Sequence, residues 1–212
     1  DNVTKIGNNA FNSFDYLTNV VLSQTITIIG DSSFANCKSI VSINLPTNLN
    51  TINGSAFSNC TSLTSIVIPD SVTEIGGYAF DSCTSLKNVT LSKSLITLGG
   101  RAFGYTAIET IEIPKSLENC SEELRQGVWE WSYVMDGTEY WMKAGPFYCC
   151  EQLKTATFET GTTRVASSLF RGCTGLKEVE IPDTVTSIEE NAFAECLRLT
   201  NITLPLNESQ MI

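Results

Sequence analysis

The sequence predicts a mostly β solenoid, in which the chain winds into stacked coils of equal length. The first observation is a phenylalanine that recurs at intervals of 23 residues, at Phe11, Phe34, Phe57, Phe80, Phe103 and again at Phe147, Phe170 and Phe193. The second is an alternating aliphatic pair inside each interval, typical of a short strand with one buried face. The third is the set of residues that interrupt the extended stretches: a proline or polar residue follows each pair, and a glycine often lies at the next turn.

Each coil, named here by its phenylalanine, holds two aliphatic stretches. In the Phe57 coil, Ile66 and Ile68 form the alternating pair, and Val72 and Ile75 form a second short extended or bent stretch. A single coil cannot bury both aliphatic rows, so neighbouring coils must cover each other. We therefore expect one solenoid over residues 1–212, with about eight coils and a phenylalanine filling one corner of each.

One foreign segment interrupts the repeat. Phe103 and Phe147 lie 44 residues apart, and 22 residues between Cys120 and Gly145 have no counterpart in the other coils. Alternating aromatic residues around the Asp136-Gly137 turn predict a β-hairpin inserted at 121–145. The turn pairs Met135 with Thr138, Tyr133 with Tyr140 and Trp131 with Met142.

The hairpin carries a candidate aromatic platform. The predicted register places Trp129, Trp131, Tyr133 and Tyr140 on one face. Such a face suits a sugar ring or a partner protein. The alternative is that it covers the solenoid where the insertion breaks the stack, because an isolated hairpin is marginal in water.

The repeated run C-x-x-L-x-x-I-x-I-P-x-x-V-x-x-I-G-x-x-A-F resembles the BspA-like, or Treponema-type, leucine-rich repeat, and it covers nearly the whole chain outside the insertion. The resemblance implies a right-handed leucine-rich-repeat solenoid with strands on the concave side and little or no helix. It also implies a cell-surface or secreted protein of bacteria or some protozoa that adheres to host proteins or other cells.

The outward side chains of the predicted strands form a candidate binding surface, the strand face. A continuous face of this kind is what solenoids commonly use for recognition, although each residue taken singly is also what a solvated strand would carry. The strand face consists of Asn44, Val67, Thr90, Glu112, Thr157, Glu178, Glu180 and Thr203.

Composition excludes several functions. The net charge of −10 argues against nucleic acid, which needs clustered lysine and arginine. The chain has no histidine, which removes Ser-His and Cys-His catalytic pairs and His-ligated metals. No apolar run is long enough to cross a bilayer. We expect no catalytic residues, no metal site and no cofactor.

Six of the eight cysteines share one repeat position. Neighbours in such a column would be ~4.8 Å apart with parallel side chains, which suits a disulfide poorly, so buried free thiols are favoured. Cys120 and Cys149 flank the insertion instead. For this pair a disulfide and two free thiols are both open.

Three functions follow from these observations. The first is a non-catalytic adhesion module, extracellular or at the cell surface, that binds a protein or glycan through the strand face. The second is a structural spacer that projects another domain, and the third is a glycan-active enzyme. The chain begins and stops inside a coil, which predicts a fragment of a longer protein with exposed apolar ends, able to associate end to end.

Overall fold

The computed structural model describes residues 2–120, 132–135, 138–141 and 144–205. Within these ranges the chain forms short β-strands and no helix, as predicted. The coils stack in register and their strands form two parallel ladders on different sides of the solenoid, each interrupted once: the first ladder consists of sheets of two and four strands, and the second consists of sheets of five and two strands. The expected leucine-rich-repeat solenoid is confirmed.

The first ladder contains the alternating aliphatic pairs and carries the strand face. Its pairing is parallel and one coil apart, so that Ile66 pairs with Val89 and Ile111 with Ala156. Its strands are β4 (Ser65–Val67), β6 (Asn88–Thr90), β8 (Thr110–Ile113), β11 (Thr155–Phe158), β13 (Glu178–Glu180) and β15 (Asn201–Thr203).

The expectation that every coil contributes a strand to this ladder was wrong for the first two coils. Residues 19–22 and 42–45 form no ladder strand, and a depression of about 260 Å³ lies between these two segments, lined by residues that include Val21 and Asn44.

The second ladder contains the valine and isoleucine pairs spaced three residues apart. Each of its strands is two residues long, and in most of them the second residue is buried in the core. The strands are β1 (Lys5–Ile6), β2 (Ile28–Ile29), β3 (Thr51–Ile52), β5 (Glu74–Ile75), β7 (Thr97–Leu98), β12 (Arg164–Val165) and β14 (Ser187–Ile188). The sequence predicts an extended or bent stretch here, and in the structure it forms parallel hydrogen-bonded strands.

The phenylalanines form one continuous column. Ring centroids of Phe57 and Phe80 are 5.2 Å apart with planes within 8°, and Phe103 and Phe147 are 5.8 Å apart with planes within 10°. The column therefore continues across the insertion, and Phe147 is the direct successor of Phe103. Stacked rings with no exposed area contribute on the order of 1.5–3 kcal/mol each through burial. The six fully buried members are Phe34, Phe57, Phe80, Phe103, Phe147 and Phe170.

The turn corner is the segment from two residues before each phenylalanine to two residues after it. Here N–H groups donate to carbonyls of the next coil, as from Phe57 to Ala79 at 2.7 Å. The residues at both ends of the segment take positive φ, for example Ser55 at 55° and Asn59 at 59°. Gly99 lies just before the turn corner of Phe103. A side chain does not fit there, because a Cβ on Gly99 would lie 2.2 Å from the backbone nitrogen of Gly77.

The inserted hairpin consists of β9 (Ser132–Met135) and β10 (Thr138–Trp141). The strands are antiparallel and pair Met135 with Thr138 and Tyr133 with Tyr140, which confirms the predicted register. The predicted pair of Trp131 with Met142 lies outside the described residues. The repeat resumes at the turn corner, where the Arg101 N–H donates to the Gly145 carbonyl at 3.0 Å.

Candidate binding surfaces

The strand face lies where the sequence places it. Alternation along β4 buries Ile66 and leaves Val67 65% exposed. Register then aligns outward residues of successive coils, such as Glu112 with Thr157 and Glu180 with Thr203. All the named strand-face residues are exposed, including Asn44, whose coil contributes no strand to the first ladder. That they bind a partner stays a prediction.

The end of the strand face nearer the N-terminus is apolar. Val21 is 88% exposed and Val41, beside the face, is 53% exposed. Val21 lines the depression between the first two coils, and Val67 lies two coils further along the row, after Asn44. We call the exposed Val21, Val41 and Val67 the valine patch. Exposed β-branched side chains on rigid coils offer apolar area that a partner can cover with little loss of side-chain entropy.

The end nearer the C-terminus is charged. Glu178 and Glu180 project from β13, and Glu112 projects from β8. Exposed Lys154 and Lys177 precede β11 and β13, so both signs are present. The Asn201 side-chain amide donates to Glu178 Oε1 at 3.4 Å, a contact that links neighbouring strands.

The aromatic platform is described only in part. The backbones of Tyr133 and Tyr140 are paired, as noted above. Trp129 and Trp131 lie outside the described residues. The platform therefore stays a prediction.

The cysteine column consists of free thiols, as predicted. Five of the six thiols donate to phenylalanine carbonyls of the preceding coil, for example Cys60 to Phe34 at 3.2 Å and Cys83 to Phe57 at 3.1 Å, and Cys173 donates to the Cys150 carbonyl instead. Burial raises the pKa of Cys60 to about 12. Thiols held in this state are poor nucleophiles and serve as core residues.

Cys120 and Cys149, whose pairing the sequence left open, are both free thiols. Cys120 takes an aliphatic position of the second ladder, where Leu98 N–H donates to the adjoining Asn119 carbonyl at 2.9 Å. Burial raises the pKa of Cys120 to about 12. Cys149 instead lies half-buried in the turn corner with φ of 53°.

A cluster around Arg101 on the turn corner was missed by the sequence analysis. Arg101 Nε and Nη2 donate to the two carboxylate oxygens of Asp81 at 3.0 and 3.1 Å. The guanidinium carbon lies 4.8 Å from the ring centroid of Tyr78 and 5.0 Å from that of Tyr105. Tyr148 lies 5.8 Å away on the next coil. We call these five residues the Arg101 cluster.

Electrostatics in the Arg101 cluster follow from burial and pairing. Burial raises the pKa of Asp81, and the charge and hydrogen bonds of Arg101 oppose that rise. Burial lowers the pKa of Arg101, but pairing with Asp81 outweighs it and the pKa is raised. Burial, then a hydrogen bond with Cys149, raises the pKa of Tyr105 to about 12. The phenol therefore stays protonated at neutral pH.

Within the described ranges, no group of three or more His, Cys, Asp or Glu residues converges as a metal site requires. The same part of the chain contains no helix of the length and apolarity needed to span a membrane.

Parallel coils, aliphatic rows and a stacked phenylalanine column define a leucine-rich-repeat solenoid. The chain belongs to the family described as BspA type leucine rich repeat region, with six copies matched over residues 4–126 and 142–211. The unmatched residues between these ranges lie in the insertion. Proteins of this family are generally non-catalytic repeat proteins.

Solved structures show the same fold. A leucine-rich repeat protein of T. pallidum, TpLRR, is 23% identical with a TM-score of 0.54, over 93% of this chain and 72% of that one. The pneumococcal vaccine antigen PcpA is 21% identical with a TM-score of 0.50, over 96% of this chain and 56% of that one. A search of curated proteins found no match.

Proposed function

We propose that this chain is a non-catalytic interaction module, extracellular or at the cell surface, that binds a partner protein through the strand face. The observation that carries the proposal is the strand face itself, an exposed row in two registered parts, one on β4 and β6 and the other on β8, β11, β13 and β15. Family membership supports it, as does the similarity to a protein that is named a pneumococcal vaccine antigen.

The valine patch supplies the apolar part of the proposed interface. Val21, Val41 and Val67 lie on exposed positions where a strand needs only polar side chains for solubility. Covering apolar area gains about 25 cal/mol per Å². A partner with an aliphatic or aromatic projection would gain most at this end, where the depression lies.

The carboxylates supply orientation. Glu112, Glu178 and Glu180 favour basic groups on the partner, and such charges mainly accelerate association and fix register. The two ends of the strand face therefore favour one orientation of the partner over its reverse.

Charge reversal tests the proposal. The triple variant Glu112→Lys, Glu178→Lys and Glu180→Lys is compared with unmodified protein for binding to intact cells and to a panel of immobilised extracellular-matrix proteins. The expected result is a loss of binding of about tenfold or more, since like-charge juxtaposition costs several kcal/mol.

The matched control reverses three exposed glutamates outside the strand face, Glu118, Glu151 and Glu190. Both variants change the net charge equally, so a general charge effect would appear in both. Equal binding by unmodified protein and both variants would reject recognition by this face and favour the structural spacer. Turnover of a glycan by the isolated chain would revive the enzyme hypothesis.

Glycan binding by the aromatic platform is the finer alternative. It is tested by a double variant, Trp129→Ala and Trp131→Ala, on a glycan array. Loss of a signal that the strand-face triple variant retains would place glycan recognition on the hairpin.

End-to-end self-association is also proposed, from apolar side chains at both ends of the stack. Phe11 in the first coil is 39% exposed and Leu204 in the last coil is 51% exposed, whereas their counterparts Phe34 and Ile181 are buried. Sedimentation velocity should show dimers that grow with concentration and weaken in Leu204→Asp. A clean monomer at high concentration would reject this.

A further inference from the structure

The repeat provides an internal comparison for the Arg101 cluster. Two residues before the phenylalanine, Tyr78 and Arg101 carry large side chains, and two residues after it Tyr105 does the same. Equivalent positions in the other coils hold mainly small or polar residues, as at Asn9, Ser32, Ser55, Ser168, Asn191, Ser13, Asn36, Asn59 and Ser82. Since the backbone conformation is shared, these bulky side chains are not needed for the turn.

The cluster is held rigidly. Asp81 is 6% exposed, and its carboxylate accepts both Arg101 bonds and a third from Ser82 Oγ at 2.9 Å. This fork fixes the plane of the guanidinium. The rings of Tyr105 and Tyr148 meet edge to face, with centroids 5.9 Å apart and planes at 75°. The arrangement is therefore formed before any ligand arrives.

The exposed part of the cluster is aromatic and hydroxyl-bearing. Tyr105 is 42% exposed, and Tyr78 and Tyr148 are half-buried. Their phenols are donors and acceptors, and Tyr105 keeps its proton at neutral pH. A ligand would meet ring surface beside fixed polar groups.

Charge narrows the class of ligand. A cation is disfavoured because Arg101 already lies among the three rings. An anion is disfavoured because Asp81 balances the guanidinium and the chain carries a net charge of −10. A purely apolar ligand would bury the phenol hydroxyls without partners.

From these constraints we infer that the Arg101 cluster is a binding site for a neutral pyranose sugar, separate from the strand face. The apolar face of such a ring stacks on tyrosine, while its hydroxyls meet the phenols and the edge of the guanidinium. The Arg101–Asp81 pair holds the donor in place.

A purely structural role predicts something different. The Arg101–Asp81 pair adds to the backbone hydrogen bonds between the corners of Phe80 and Phe103, and that brace needs no exposed tyrosine. If the cluster only braces the coils, removing the ring of Tyr105 would change the free energy of unfolding slightly and would leave ligand binding unchanged.

The test uses the full chain on an array of neutral, sialylated and sulfated oligosaccharides, followed by calorimetric titration of the best neutral glycan. Tyr105→Ala should weaken binding by about tenfold, the effect of an aromatic contact worth about 1.4 kcal/mol. Tyr105→Phe should retain stacking and lose less. Tyr16→Ala, which removes an exposed tyrosine far along the stack, should bind like unmodified protein.

Several results would overturn the inference. They are no binding to any neutral glycan, binding confined to acidic glycans, or equal binding by Tyr105→Ala and Tyr16→Ala. Loss of binding in the Trp129→Ala and Trp131→Ala double variant alone would move the site to the hairpin. Preference for a proline-rich peptide over sugars would replace it with peptide recognition. Matching circular dichroism and thermal midpoints confirm that every variant is folded.

Discussion

Phenylalanine rings stack both in the regular coils before the insertion and at the junction, the step from Phe103 to Phe147 that spans it. The stacking is less regular at the junction. Phe80 and Phe103 stack 5.1 Å apart with planes within 1°, whereas Phe103 and Phe147 are 5.8 Å apart and Phe147 and Phe170 are tilted by 23°. The junction is looser, yet its rings are fully buried. A solenoid therefore tolerates a large insertion at a corner because its core depends on coil-to-coil register.

The cysteine column also differs between the regular coils and the junction. The Phe103 coil carries Thr106 where its neighbours carry cysteine. Thr106 Oγ1 donates to the Phe103 carbonyl at 2.9 Å and lies 3.4 Å from Cys150 Sγ. Its hydroxyl bonds to a phenylalanine carbonyl within its own coil, whereas the thiols reach the preceding coil. The junction thus keeps a buried hydrogen-bond donor at this position, but the donor bonds within its own coil instead of to the preceding coil.

The largest expected effect is the loss of a ring from the column. Phe80→Ala should lower the free energy of unfolding by about 3–5 kcal/mol, since the ring is fully buried. Phe147→Ala should cost less, because the looser junction can relax. Urea denaturation followed by circular dichroism gives both values. A larger loss for Phe147→Ala would reverse the ranking of the two regions.

Removal of Arg101 should have the next largest effect. Arg101→Ala leaves the buried Asp81 carboxylate without its main partner and should cost about 2 kcal/mol. Lys38→Ala breaks an exposed ion pair with Asp15 and should cost about 0.5 kcal/mol or less. The same denaturation assay compares them. Equal costs would show that the Arg101–Asp81 pair does not brace the corners of Phe80 and Phe103.

Thiol chemistry gives a third prediction. At pH 9 a soluble disulfide reagent should modify half-buried Cys149 at least about tenfold faster than Cys83, because burial raises the pKa of Cys83 and lowers its thiolate fraction. Mass spectrometry of quenched samples measures the order. Simultaneous modification would mean that the column opens as readily as the corner.

The buried thiols also make stability depend on pH. Burial raises their folded pKa, to about 11 for Cys150 and about 12 for Cys60. Their contribution is fully present below the unfolded pKa of about 8.5 and is lost as pH rises towards the folded values. The urea midpoint should therefore fall from pH 8.5 upward, and by less in Cys60→Ala.

The smallest effect is expected from removing the insertion. Replacing residues 121–144 with Gly-Gly restores the spacing of the regular corner between Leu98 and Phe103. The solenoid should remain folded, with unfolding free energy changed by about 1 kcal/mol or less, since loop closure costs only about 0.6 kcal/mol per doubling of length. Circular dichroism and urea midpoints test this. Collapse of the fold would show that the hairpin is needed by the core.

Sequence reasoning reached the fold because the repeat encodes it. Spacing alone made Phe147 the successor of Phe103, and a two-residue turn fixed the pairing of Tyr133 with Tyr140. Alternation placed the strand-face residues outward. Such regularities are local or periodic, and both are readable from one sequence.

What sequence reasoning missed depends on contacts between irregular positions. The Arg101 cluster joins side chains from three coils, and only the fold brings Asp81, Arg101 and Tyr148 together. The signal was present as bulky residues at corner positions that elsewhere are small. The absence of first-ladder strands from the first two coils had no such signal, because Ile43 and Leu45 keep the strand pattern.

The two ladders also decide how the molecule bears force. Their hydrogen bonds run along the axis of the stack, so tension applied from end to end peels coils away singly rather than shearing a whole sheet. Each released coil of 23 residues would add roughly 80 Å of extended chain at about 3.3–3.6 Å per residue. A molecule built in this way lengthens under load in small steps and keeps its remaining coils intact.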